Sequence, residues 1–295
     1  MKNIVFIILT FMMVFTACED IVEIDLAEGP VEMVVDAWIN TDTIPQVIKL
    51  RTTAPYFSNA FVPVVNDAEI VVTDEDGRSY EFLELENNGN YIWTPEPGEH
   101  FGEIDKQYTL EISLDGKTYT AASQLNPTVP VDTITYEFQE EVLDEPAGYF
   151  AQFFARDQPG LGDTYWIKAY KNGAFLDAPQ EINIAYDGGP SAGAEIDGLV
   201  FITPIREAIN PFIDIAGLST YSLGDTIRVE IHSLTPEAFT YLERARIQLT
   251  LGDAALFAEP PTNVPTNIRS SSETENPQGF FVVSEVSSLE VVVEE

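Results

Sequence analysis

Two histidines, one cysteine and 49 acidic residues are the groups with which this 295-residue chain could do chemistry. His100 and His232 fall in segments that read as different domains. A zinc site takes three or four Cys, His or carboxylate ligands, and neither HExxH nor CxxC is present. A Ser-His-Asp triad would have to use one of these two histidines, and no GxSxG elbow leads into a helix. Asp187-Gly188-Gly189-Pro190-Ser191 lacks the lysine and the strand–helix setting of a phosphate loop. Carboxylates leave two openings. A pair held about 5–9 Å apart with unequal pKa values can cleave glycosides, and Asp187, Glu195, Asp197 and Asp214 sit in the least regular stretch. Loop carboxylates can also hold a structural calcium ion, but Asp67, Asp74 and Asp76 do not have EF-hand spacing, and Gly77 suits a turn. With so many acids an accidental pair is expected, so no catalytic, cofactor-binding or metal-ligating residue is assigned and the protein is read as non-enzymatic.

Cys18 is the residue whose setting is informative. A nearly uninterrupted apolar run, Ile4 to Phe15, follows Lys2 and ends in Phe15-Thr16-Ala17-Cys18. The run is too short to cross a hydrocarbon core of about 30 Å comfortably but suits the h-region of a secretory signal. The small residues before Cys18 resemble a bacterial lipobox, with Phe15 where leucine is commoner. The expectation is a signal peptide over 1–17, lipid attachment at Cys18 and an acidic tether over 18–30. Two or three acyl chains on that cysteine anchor stably. Glu19, Asp20, Glu23 and Asp25 resemble the surface-export signal of Bacteroidetes lipoproteins. With one cysteine no internal disulfide forms, and no later stretch is long and apolar enough to span a membrane.

The charge balance narrows the partners. Fourteen basic residues against 49 acidic ones leave a formal charge of -35. Nucleic-acid binding is excluded because it needs basic residues to displace counterions from phosphates, and a basic grip on an anionic membrane is excluded likewise. A hydrophobic content of 45% with 18 Phe and 12 Tyr argues for folded cores.

Period-two alternation supplies those cores. Met33 to Ile39, Gln46 to Thr53, Ala68 to Thr73, Tyr80 with Phe82, Tyr91 to Trp93 and Tyr108 to Leu114 read as strands. Asp115-Gly116 reads as a tight hairpin turn. Strands with one dry and one wet face must pack sheet on sheet. The expected fold is mainly β, with two β-sandwich-like domains. The first, 31–125, is immunoglobulin-like; the second, 131–295, is β-rich with irregular insertions, the two prolines of Asn126 to Pro130 marking the junction. In the second, Ile134 to Phe138, Tyr149 to Ala155, Thr164 to Tyr170, Thr226 to His232, Gly279 to Val283 and Leu289 to Val293 read as strands, with His232 pointing outward. A helix is expected near 236–250, capped by Thr235 and burying Ala238, Leu242, Ala245 and Leu249; a shorter one is expected over 205–210. Trp38 and Trp93 are expected in cores rather than in a ligand platform.

Several segments in order resemble one family. They are Cys18-Glu19-Asp20 with Ile24 and Asp25, Met33 to Asn40, Arg51-Thr52-Thr53-Ala54-Pro55-Tyr56-Phe57, Asn66 to Val72, Gly89-Asn90-Tyr91 and Gly102 to Leu110. Leu234 to Leu242, Pro260 to Ile268 and Gly279-Phe280-Phe281 continue the likeness, which departs at Arg269 to Glu273, where a glycine-rich step is usual. The whole is similar to the Bacteroidetes outer-membrane lipoproteins grouped as domain of unknown function 4249. That resemblance implies a lipoprotein often encoded beside a TonB-dependent transporter, with no catalytic residues to carry over.

The expectation is therefore a non-enzymatic lipoprotein on the outer membrane, facing the cell exterior. It would assist a TonB-dependent transporter by capturing ligand or capping the barrel. A surface adhesion or structural binding module is the alternative, and a carboxylate-based glycoside hydrolase a weak third. Long irregular segments in compact domains are often functional. If 177–224 and 257–278 meet a partner, Phe201, Phe212 and Phe257 are the expected apolar contacts.

Overall fold

The computed structural model describes residues 29–54, 61–141, 146–193, 196–212, 220–250 and 263–295. Alternation builds the first sheet from β1 (Met33–Asn40), β2 (Gln46–Thr52), β3 (Glu69–Asp74), β4 (Ser79–Glu84), β5 (Asn90–Trp93), β6 (Gln107–Leu114) and β7 (Lys117–Gln124). In β1 buried and half-buried residues alternate without a break. Tyr108, Leu110 and Ile112 of β6 are all fully buried. Asp115 and Gly116 take the positive φ values of the expected turn, 50° and 74°.

Two later strands complete this sheet. β14 (Arg269–Ser270) pairs with β7, and β15 (Gln278–Ser284) runs parallel to β1, giving nine strands in the order β14-β7-β6-β3-β4-β5-β2-β1-β15. β4 is the bend: Tyr80 and Phe82 pair with β3, Leu83 and Glu84 with β5. The sheet curls until β7 and β15 meet through side chains. Asn267 Nδ2 donates to Ala122 O and Phe281 O, at 3.2 and 2.8 Å, and its Oδ1 accepts from Phe281 N at 3.0 Å. The result is sandwich-like, with Val35, Ile48, Leu50, Tyr80, Leu110 and Phe281 in its core.

The second sheet holds β10 (Thr164–Lys171), β11 (Ala174–Phe175), β12 (Asn183–Tyr186), β13 (Thr226–Leu234) and β16 (Val286–Val292). One face packs on the hairpin of β8 (Thr133–Gln139) and β9 (Gly148–Phe154) and on the short helix α1 (Thr203–Glu207). The 131–295 segment is thus not one self-contained domain. Its chain passes from the second sheet into the first at β14 and β15 and back at β16, and the described residues from Val31 onward form one compact unit. The boundary near 126–130 divides the strands of the first sheet from those of the second, except that β14 and β15 return to the first. The apolar stretches 279–283 and 289–293 reveal strands but not which sheet they join.

Helix α2 (Pro236–Thr250) matches its expected span. Thr235 Oγ1 accepts from Ala238 N at 3.2 Å, the bond that caps an N-terminus. Its buried face is Ala238, Phe239 and Leu242; of the other two residues expected there, Ala245 is half-buried and Leu249 exposed. Thr235→Ala should cost about 0.5–2 kcal/mol and Thr235→Asp little. Urea denaturation of the whole chain reads this out, and equal midpoints for Ala and wild type would refute the cap. No helix among the described residues is long and apolar enough to cross a membrane.

Candidate functional site

Where the two sheets meet beside the start of α2, a cleft of ≈ 660 Å³ opens. β6 and β7 contribute Gln107, Ser123 and Gln124; the junction contributes Asn126; the loop before β10 contributes Asp163; and α2 contributes Glu237. The volume lies within the range of small-molecule sites. The lining is hydrogen-bonding rather than nucleophilic. Ser123 Oγ accepts from Val283 N at 3.1 Å, Thr164 Oγ1 donates to Leu234 O at 3.0 Å, and neither histidine lines the cleft.

Behind Asp163 stand two buried acids. Asp157, Asp163 and Asp187 bring carboxylate oxygens within 4.8 Å of one another. Asp157 accepts from Tyr165 Oη at 2.9 Å and from Gly198 N at 3.1 Å. One oxygen of Asp187 accepts from Gly162 N at 2.7 Å and Asp163 N at 2.9 Å. Those bonds fold the loop before β10 onto the chain after β12, so much of the cluster is structural stitching. Asp163 bears the electrostatic cost: burial, and then the charges of Asp157, Asp187 and Asp197, push its carboxyl up to about 6. Three such oxygens can share a proton or contribute to the shell of a hard cation.

A carboxyl with a raised folded-state pKa stabilises most below its unfolded value, and that stability is lost as pH rises through about 6. Asp163→Asn should therefore raise the melting temperature at pH 7, with the gain fading below about pH 4. A pH series of thermal melts in chelator tests this; a variant less stable than wild type at pH 7 would contradict it.

A second polar array lies between the sheets. His232 Nε2 is 3.1 Å from Glu230 Oε2, and Ser284 Oγ is 3.3 Å from both His232 Nδ1 and the Ile39 carbonyl. Burial above all holds the imidazole down to about 4, so it is neutral at pH 7. Nε2–H then donates to Glu230, and the single hydroxyl hydrogen of Ser284 has two acceptors, Nδ1 and the Ile39 carbonyl. The order serine, histidine, acid is that of a hydrolytic triad. Yet all three residues are buried, and Ser284 pairs with Asn40 in a regular ladder rather than standing on an elbow. The array pins β15 to β13. His232 does share a face with Arg228 and Glu230, but only Arg228 reaches water; Glu230 and His232 are buried, and Trp166, cross-strand from His232, packs on Trp38 of β1 with ring centres 5.0 Å apart.

A family model described as a domain of unknown function (DUF4249) matches residues 19–290. The chain belongs to the DUF4249 family. No curated protein matches it significantly.

In this DUF4249 chain the residues singled out by sequence scatter. Cys18, Glu195, Asp214 and Phe257 lie outside the described residues. Phe201 is 1% exposed and packs on Phe153 and Tyr165, so it is core and cannot serve as a surface contact; Phe212 is exposed. Asp74 accepts from Asp76 N and Arg78 N at 3.0 and 2.8 Å, closing its turn, and Lys106 Nζ stands 2.9 Å from Asp76. That explains these acids without calcium. Trp93 packs edge-on against Tyr80 and Phe101, and His100 is exposed. Asp187 was legible as a loop acid, but its partners Asp157 and Asp163 were not, because only the meeting of two loops joins them.

Proposed function

We propose that this DUF4249 protein is a lipid-anchored lipoprotein of the outer membrane that holds a polar ligand without turning it over and serves a TonB-dependent transporter. The observation that carries the reading is the cleft between the sheets. It has ligand-sized volume and hydrogen-bonding walls, and the hydroxyls of Ser123, Thr164 and Thr235 are tied to backbone partners. Cys18, directly after an apolar run and before Glu19 and Asp20, supports the anchor and the outward-facing location. The high negative charge disfavours strongly anionic ligands by repulsion.

Gentle detergent extraction of the lipidated chain, followed by pull-down and native mass spectrometry, tests this directly. Recovery with a β-barrel transporter and a bound small molecule is expected; recovery bound to surface polymer alone would replace transport with adhesion. Cys18→Ala should abolish labelling by an alkyne fatty acid and release the protein from membranes. Equal labelling of both forms would refute the anchor.

A further inference from the structure

Five lysines lie among the described residues, in a chain where acids outnumber bases more than threefold. Lys49 pairs with Asp36 at 3.2 Å, Lys106 with Glu103 at 2.7 Å, Lys117 with Glu275, and Lys171 with Asp225 at 3.2 Å. Lys168 differs: among the described residues no carboxylate oxygen comes within 4.0 Å of it. Its cross-strand neighbour is Glu230, but that carboxylate is engaged elsewhere. Glu230 pairs with Arg228 and accepts from Tyr170 Oη at 2.7 Å and His232 Nε2 at 3.1 Å. The amine instead lies 4.0 Å from the centre of the Trp166 ring and 6.0 Å from that of Phe175. The adjacent Trp166 Nε1 is a buried donor that also lacks an acceptor. Lys168 is half-buried and Phe175 exposed, so the amine sits near the rim of an aromatic setting.

We infer that Lys168 is a reactive amine that captures carbonyl compounds of the aldehyde class, including open-chain reducing sugars, as an imine. The neutral amine's lone pair attacks the carbonyl carbon while the C=O π pair moves to oxygen. A proton passes from nitrogen to that oxygen, and loss of water leaves C=N. No oxidant or reductant is consumed, and water reverses the step. The imine removes a half-buried charge that no carboxylate balances, while the Trp166 face, 4.0 Å away, attracts the ammonium form and works against its loss.

The charges around the amine act in both directions. Burial lowers it most; Glu230, Asp36 and Asp42 raise it, Lys49 lowers it, and the balance is about 8. Arg228, neutral His232 and Tyr170 are the partners that engage Glu230, the cross-strand neighbour of Lys168. At pH 7.5 about a quarter of such an amine is neutral, against about a thousandth for an ordinary lysine. Lower basicity and restricted access reduce that advantage, so at least about tenfold faster reaction is expected.

The test uses the full wild-type chain, acetaldehyde and cyanoborohydride, whose hydride reduces the imine to a stable secondary amine. Peptide mass mapping over time should show Lys168 labelled at least about tenfold faster than Lys49, Lys106, Lys117 and Lys171 at pH 7.5, with the advantage gone in denaturant. Its rate should rise with pH to a midpoint near 8, as the protonation balance requires. Labelling of Lys168 at or below the rate of the other four in the folded protein would overturn the inference.

Discussion

Gly279→Ala is expected to destabilise the protein by about 2–6 kcal/mol, strain and overpacking together. Gly279 lies in β15 opposite Val35, with φ at 92°. A methyl group there would stand 1.9 Å from the Val35 carbonyl oxygen. The neighbour is backbone inside a parallel ladder, so it cannot swing aside as a side chain would. Relief requires β15 to move away from β1, and β15 is the strand that closes the curled sheet. Gly77→Ala is the control, because Gly77 has φ at 89° but nothing within 4 Å of the added carbon. The control should show only the conformational cost, about 1–2 kcal/mol. Urea titrations of both variants measure the difference, and equal losses would mean that the close approach is absent in solution. Domains of this kind are typically stable by only about 5–15 kcal/mol, so Gly279→Ala should remove a large share of the stability.

The second large effect is expected at Glu230. Glu230→Ala should cost about 3–5 kcal/mol, because removing one member of a buried ionic group strands the others. Arg228, Tyr170 and His232 all direct a polar atom at this carboxylate. Burial works to raise the Glu230 pKa, but His232, Tyr170 and Arg228 outweigh it and bring it to about 2. A depressed carboxyl stabilises above its unfolded value near 4.3, and that contribution is lost as pH falls toward 2. His232 acts in the same direction at higher pH. Its folded value of about 4 lies below the unfolded 6.5, so the unfolded chain gains a proton first, and stability falls as pH drops from about 6.5 to 4. Asp163 opposes this between about 4 and 6, which makes Asp163→Asn the background of choice. In that background, His232→Gln should flatten the loss between pH 6.5 and 4 and leave the steeper loss below it. Thermal melts across pH 3–8 test this, and a profile unchanged by His232→Gln would show that the imidazole does not titrate as described.

Strand positions were legible in the sequence because period-two alternation is a local consequence of one dry and one wet face. Tyr80 and Phe82, or Tyr108, Leu110 and Ile112, declare their buried side without reference to any partner. The hairpin at Asp115-Gly116 was legible because few residues tolerate positive φ, and the cap at Thr235 because its hydroxyl bonds three residues ahead. β12 was not legible: Asn183, Ile184 and Ala185 are buried on both faces, so no alternation marks them. His232 was misplaced for the same reason, since β13 is covered on both sides over its second half.

The sequence by itself determined the mainly β character, the turns, the capped helix and the acidic composition, the first three set by neighbours a few residues apart. Tertiary structure alone decided that β15 closes the first sheet, that Asp157, Asp163 and Asp187 meet beside a cleft, and that Lys168 faces an indole instead of a carboxylate. Those outcomes depend on strand pairing and loop meeting between residues far apart in the chain. Many pairings satisfy the same local alternation, and only the packing of the whole core selects one.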